Sequence, residues 1–267
     1  MMSTYVSPDR KIRKTVLVVG EGCFKPSENC FCTFTISESN VDLDKYKSYG
    51  YSVGDSGDVF ERYLDVLLQT MLTSEVAKVT FLTGDSKVEF TIELESFSRA
   101  GFIYEWDPTY KYNLAMQHKV AGNDLFKSGC FKDASYRFRK GLKILLSIPL
   151  DVENPKLQEQ SMEDVYSLMV NFYNNLAACN LKAKDYDRVV GLCDKVLCFE
   201  DGNVKAAYKM GVACFELHNY ERALEMFSKV AIAEPNNKAV VQNINKTQSR
   251  IVESNSKYEC LVKRMFK

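Results

Sequence analysis

Lys119 and Asn123 stand four residues apart, as do Lys205 and Lys209, and Asn175 lies between the two pairs in the chain. A spacing of four sets both members of a pair on one face of a helix. Each ammonium offers three N–H donors and each carboxamide two, and none of these positions is Asp or Glu. Such a set suits a compact anion, above all the carboxylate at a peptide end. Charge-assisted hydrogen bonds of this kind contribute about 1.5–3 kcal/mol each. Several on one terminus support roughly micromolar binding, near −8 kcal/mol. Covalent or acid–base chemistry has little to work with. No Gly-rich phosphate loop occurs, and no Ser, Cys or His sits in a nucleophile motif. The two histidines, His118 and His218, read as helix-surface residues rather than catalysts.

The elements that must position these groups change character along the chain. The first hundred residues read as strands. KTVLVVGEG and CFCTFTISES alternate, and AKVTFLTGDSKVEFTIELESF is two β-rich runs around a Gly-Asp turn, the pattern of a hairpin. Between them GDVFERYLDVLLQTMLTS has helical apolar spacing at Val59, Phe60, Tyr63, Leu64, Leu67, Leu68 and Met71. A sheet packed on one helix is expected over 1–105.

From about Tyr110 the period is helical and a repeat emerges. Ala177 matches Gly211, Tyr186 matches Tyr220, Val189 matches Ala223, Cys193 matches Phe227 and Val196 matches Val230, all at an offset of 34 residues. Gly122, Ala134 and Phe138 take the small, small and aromatic positions of an earlier copy. A 34-residue helix-turn-helix with that signature and a Pro near its end, Pro235, is the tetratricopeptide pattern. The expected all-α domain covers 106–267, with repeats at about 115–148, 170–203 and 204–237 and a capping helix at 238–267. About twenty extra residues separate the first two repeats, so longer helices are expected around the Pro149–Pro155 loop.

The bulk numbers agree with a globular chain of 267 residues, 46% hydrophobic and 26% charged, enough for two cores. Lys plus Arg and Asp plus Glu both number 35, so nothing suggests bulk attraction to nucleic acid or a membrane. Nine cysteines, an odd count mostly within apolar helical pattern, suit free thiols in a reducing compartment. Cys30 and Cys32 form C-x-C without a second pair at zinc-site spacing, so neither metal nor cofactor is expected. The N-terminus lacks a signal-peptide core, and a cytoplasmic or nucleocytoplasmic protein is expected.

The five polar residues resemble the two-carboxylate clamp of chaperone-binding tetratricopeptide domains. That family grips the C-terminal Glu-Glu-Val-Asp of heat shock protein 90 or its seventy-kilodalton relative. Lys119, Asn123, Asn175 and Lys205 match its pattern; Lys209 stands where Arg is usual, keeping the charge but not the planar fork. The whole chain resembles immunophilins of the FK-binding type that carry such a domain. YSVGD looks like the end of their ligand-site strand, FERYLDVLLQTM like their helix, VEFTIELESFSRAGFIYEWD like their last strand and linker, and KYECLVKRMF like their tail. The resemblance implies an α+β half-barrel sheet with one helix, followed by the tetratricopeptide array.

Active members have a Trp floor at the start of the helix and a Tyr-x-Phe-Gly flap. Here VFERY has no Trp, and the flap is reduced to FLTGD. The expected protein is therefore no enzyme but an adaptor, with Tyr51, Val53, Phe60 and Phe90 as core residues and an unspecified client on the front module. An active peptidyl-prolyl isomerase and a scaffold for some other acidic peptide are the alternatives. The amphipathic basic tail KYECLVKRMFK reads as a cap, with calmodulin a further candidate partner that the resemblance suggests.

Overall fold

The computed structural model describes residues 3–46, 48–84, 86–149 and 161–265. The chain forms two compact units, Met1–Glu159 and Gln160–Lys267. The sheet and the first helical hairpin share the first unit, and the other hairpins form the second.

Six strands make one antiparallel sheet in the first unit: β1 Thr4–Val6, β2 Ile12–Val18, β3 Phe31–Ser37, β4 Ser48–Ser52, β5 Glu75–Thr83 and β6 Ser86–Phe97. Their order is β1-β2-β5-β6-β3-β4. Alternation sets the buried face: Ile12 and Val16, then Ala77, Val79 and Phe81, then Phe90, Ile92 and Leu94, and Cys32, Phe34 and Ile36. Helix α1, Val59–Leu68, starts at Asp58, whose side chain accepts from the Glu61 N–H. It buries Leu64, Leu67 and Leu68 completely in the same core, each contributing about 1.5–3 kcal/mol.

The expected hairpin is β5–β6, with Thr83 paired to Ser86 and Gly84 at φ 63°; Asp85 lies outside the described residues. The YSVGD segment leaves the sheet at Ser52. Gly54 then takes φ 101°, and a Cβ there would stand 2.3 Å from Glu28 Oε1, so only glycine fits without a shift.

Helices α2, Pro108–Lys127, and α3, Phe131–Leu145, complete the first unit. Polar contacts tie α3 to the sheet module. Arg62 reaches Asp133 at 2.5 Å, and Arg137 donates to Gly54 O at 2.9 Å and to Asp55 at 2.6 Å. Tyr136 donates to Asp65 at 3.0 Å, and Lys140 pairs with Glu28. Asp65 is fully buried and also accepts from Tyr51 Oη at 2.8 Å and from the Gly54 N–H at 2.7 Å. Burial pushes its carboxyl pKa up, while the Gly54 N–H and the Lys140 charge pull it back.

His118 is a correction to the expectation of a helix-surface residue. It is 5% exposed and faces the loop at Gly54. The reason is the stripe of α2 residues at spacings of three and four, Lys111, Ala115, His118 and Gly122, which is buried as a set. Burial, with Arg137 and Lys140 nearby, lowers its pKa to about 3, so the ring is neutral at pH 7. His218 is exposed, just beyond a helix end.

The second unit contains α4 Met162–Lys182, α5 Tyr186–Phe199, α6 Val204–Glu216, α7 Tyr220–Ala233 and the long α8, Lys238–Met265. Ser161 and Asp164 form a capping box at the start of α4. Of the helices flanking the 149–155 segment, α4 has 21 residues against 13 in α6, whereas α3 has 15; Pro155 lies outside the described residues. The side chains of Cys260, Leu261, Lys263 and Arg264 in the basic tail are also outside them.

All three hairpins turn the same way. Gly129, Lys184 and His218 have φ 85°, 59° and 61°, and the following N–H bonds the carbonyl five residues back. Those bonds are Cys130 to Leu125, Asp185 to Asn180 and Asn219 to Cys214. This helix ending usually takes glycine; the two non-glycine copies carry a local strain on the order of 1 kcal/mol.

The small-residue positions are keyed to their partners. A Cβ on Gly122 would lie 2.5 Å from the Phe138 ring, and one on Gly211 would lie 2.7 Å from Phe227. The middle hairpin has Ala177 and Cys193 at the equivalent places, a larger residue facing a smaller one. Gly211→Ala is therefore expected to destabilise by about 1–2 kcal/mol through overpacking. In a Phe227→Cys background the same change should stabilise by up to about 1 kcal/mol, the helix preference of Ala over Gly. Urea midpoints of the four variants measure the sign, and an equal effect in both backgrounds contradicts the keyed contact.

Candidate functional site

In the second unit the expected anion-binding groups lie on α4 and α6, the first helices of their hairpins. Asn203 caps α6 by accepting from the Ala206 N–H, which fixes the start of the helix just before Lys205. Lys205 is exposed, and its ammonium has no partner among the described residues. Lys209, one turn on, is half-buried and held: its Nζ donates to Asn174 Oδ1 at 2.9 Å and to Lys205 O at 3.1 Å. Two of its three N–H donors are thus occupied, and one is left for a ligand. Burial is the first cause lowering the Lys209 pKa, and the Lys205 charge adds to it.

Asn175, the expected ligand on α4, is half-buried. The residue that anchors Lys209 is its neighbour Asn174, which the sequence reading did not single out. The doublet Asn174–Asn175 was the available signal. Adjacent helical residues point about 100° apart, so the two carboxamides face different surroundings.

In the first unit Lys119 and Asn123 lie on α2, each next to a member of the buried stripe, His118 and Gly122. Both are half-exposed. Lys119 makes no hydrogen bond or ion pair among the described residues. The structure therefore places Lys205 and Lys209 together on α6 and Lys119 and Asn123 together on α2.

In the front module the residues singled out from the sequence pack among aromatic rings. Phe60, in the first turn of α1, stacks on Tyr46 at 4.8 Å and meets Phe81 and Phe90 edge-on or tilted at 5.4 and 5.6 Å. Tyr51, Val53 and Phe90 are 4%, 2% and 1% exposed, so all three are core residues as expected, and Phe60 packs against the same core. The Tyr51 hydroxyl is committed to Asp65. The Cys32 thiol, in the same core, is raised to about 12 by burial, so it is a packing group rather than a nucleophile.

No protein-family model matches the chain. An FK506-binding protein-like protein of Mus musculus is 27% identical over 252 residues, covering 90% of this chain and 66% of that protein. FK506-binding protein 59 of Drosophila melanogaster is 25% identical over 278 residues, 97% of this chain and 60% of that protein. The chain thus spans less than two thirds of the length of these curated relatives. Among solved structures, the C-terminal TPR-containing domain of a Plasmodium falciparum FK506-binding protein is 26% identical with a TM-score of 0.50, over 58% of this chain and 99% of that one. With its sheet packed on one helix and its helical hairpins repeating every 34 residues, the chain is similar to immunophilins of the FK506-binding type that carry a C-terminal tetratricopeptide domain.

Proposed function

We propose that the chain is a non-catalytic co-chaperone adaptor whose tetratricopeptide helices hold the C-terminal Glu-Glu-Val-Asp tail of heat shock protein 90 or its seventy-kilodalton relative. The observation that carries this reading is the α6 pair: Lys205 with an uncommitted ammonium, and Lys209 fixed by Asn174 with a donor to spare. Two positive groups one turn apart, with no carboxylate bonded to either, suit the paired carboxylates of a chain end. Asn175, Lys119 and Asn123 extend the clamp in this proposal, following the pattern they share with the family.

The non-catalytic reading is supported by the front module. Phe60 rather than Trp stands in the first turn of α1, and Thr83 at the end of β5 pairs directly with Ser86 at the start of β6, with no room for a flap between them. Isomerases of this type act through a dry, shaped pocket rather than through acid or base groups. Here the rings of Tyr46, Phe81 and Phe90 pack on Phe60.

The test is a calorimetric titration of the full chain with a peptide ending Glu-Glu-Val-Asp and with the same peptide amidated at its C-terminus. The free acid is expected to bind at roughly micromolar strength, and the amide at least about tenfold more weakly, one charge-assisted bond's worth. Equal binding of both overturns the clamp. A proline-peptide isomerisation assay with kcat/KM of about 10⁴ M⁻¹s⁻¹ or more overturns the non-catalytic half.

A further inference from the structure

The first unit carries a cavity of about 730 Å³ that belongs neither to the clamp residues nor to the aromatic core. One wall is the rings of Phe102 and Tyr104, stacked at 5.5 Å with planes 8° apart and 54% and 74% exposed. The facing wall is α3, which presents Leu142 and a half-exposed Leu146. Arg139 and Lys143 stand on the same helix, four residues apart. Both are exposed, and neither has an ion pair or hydrogen bond among the described residues. The one carboxylate on the wall, Glu28, is already paired with Lys140.

The aromatic wall is held in place. Trp106 Nε1 donates to Ala100 O at 2.5 Å, and the Phe102 N–H donates to Glu105 Oε2 at 2.9 Å. A fixed wall lowers the ordering cost of binding. Exposed stacked rings beside exposed leucine, rimmed by charge, mark an interaction surface rather than ordinary exterior.

We propose that this groove docks an acidic peptide segment of a partner protein. A bulky apolar side chain lies between the Phe102–Tyr104 stack and Leu142–Leu146, and flanking carboxylates meet Arg139 and Lys143. Charge complementarity decides the partner's chemistry, since the rim offers two unneutralised cations and no free carboxylate. The site recognises an internal segment and does not require a chain end, which separates it from the clamp.

The probe is fluorescein-labelled Asp-Glu-Leu-Phe-Glu-Asp, acetylated and amidated so that it has no terminal carboxylate, titrated into the full chain and followed by anisotropy. Saturable binding is expected, weakened about tenfold or more by Phe102→Ser and by the double change Arg139→Glu with Lys143→Glu, as for a central aromatic anchor and its charged partners. The Asn/Gln version of the probe should bind about tenfold more weakly, and Lys205→Glu should leave binding unchanged. Both substituted surfaces are exposed, and circular dichroism confirms that the variants fold. Absence of saturable binding, equal affinity for the uncharged probe, or wild-type affinity in the Phe102 and double variants overturns the proposal. Loss of binding in Lys205→Glu instead assigns the probe to the clamp and also overturns it.

Discussion

Lys205→Glu is expected to weaken binding of a free-acid Glu-Glu-Val-Asp peptide by about a hundredfold or more, close to 2.7 kcal/mol, with the thermal melt unchanged. The side chain is exposed and bonds to nothing among the described residues, so its loss removes no packing. A carboxylate at this position would act twice. It would repel the incoming terminus, and it would compete for the free donor of Lys209, one turn along the same helix face. Lys205→Ala removes only the attraction, and its loss should be nearer tenfold, the lower end for one charge-assisted bond. Calorimetry gives the affinities and circular dichroism the melts. Peptide binding that survives Lys205→Glu would exclude this helix face as the docking surface.

Asp65→Ala is expected to destabilise the first unit by about 3–5 kcal/mol, the scale for removing one partner from a buried polar cluster. Three donors would lose their acceptor: the hydroxyls of Tyr51 and Tyr136 and the Gly54 N–H. They come from β4, α3 and the loop after β4, so the loss loosens the joint between sheet and hairpin. Asp65→Asn should cost less, about 1–2 kcal/mol. The carboxyl pKa is raised chiefly by burial, so the charge itself is held at a cost, and a neutral amide oxygen still accepts one bond. Denaturant titration with near-ultraviolet circular dichroism measures both. An Asp65→Ala midpoint matching that of wild type would show that the donors find other partners.

Much of the front module was legible because its signals are local. The alternation of 77–97 became β5 and β6, and the apolar spacing of 59–68 became α1 with Leu64, Leu67 and Leu68 inward. The 34-residue offset gave the hairpins, and the turn bonds at 129, 184 and 218 repeat with it. Strand β1 was missed, because three residues are too few to show a period. YSVGD was read as the end of a strand and β4 ends inside it at Ser52, but the start of β4 was not read, since Gly50 interrupts the apolar pattern of SYGYS.

The polar joint was invisible for a different reason. Arg137 and Asp133 look like ordinary solvated helix residues, and their partners Asp55 and Arg62 lie about eighty and seventy positions away. Burial of a charge depends on what packs across from it, and periodicity within one element carries no information about that. The same limit hid His118 and left Asn174 unread beside Asn175. The candidate clamp residues could be assigned to α2, α4 and α6 because they sit on repeats. The brace that holds Lys209 was not, because it comes from a residue outside the repeat signature.

The glycine–phenylalanine and alanine–cysteine pairs have a consequence for how such an array can evolve. A helix moved alone from the middle hairpin into the third would bring Ala177 against Phe227 and jam, whereas the reciprocal move would leave Gly211 over Cys193 and a hole. Between the middle hairpin and either of the others, only whole hairpins can be duplicated or exchanged without this penalty. Drift at either position is therefore expected in compensated couples, the two helices of a hairpin changing together.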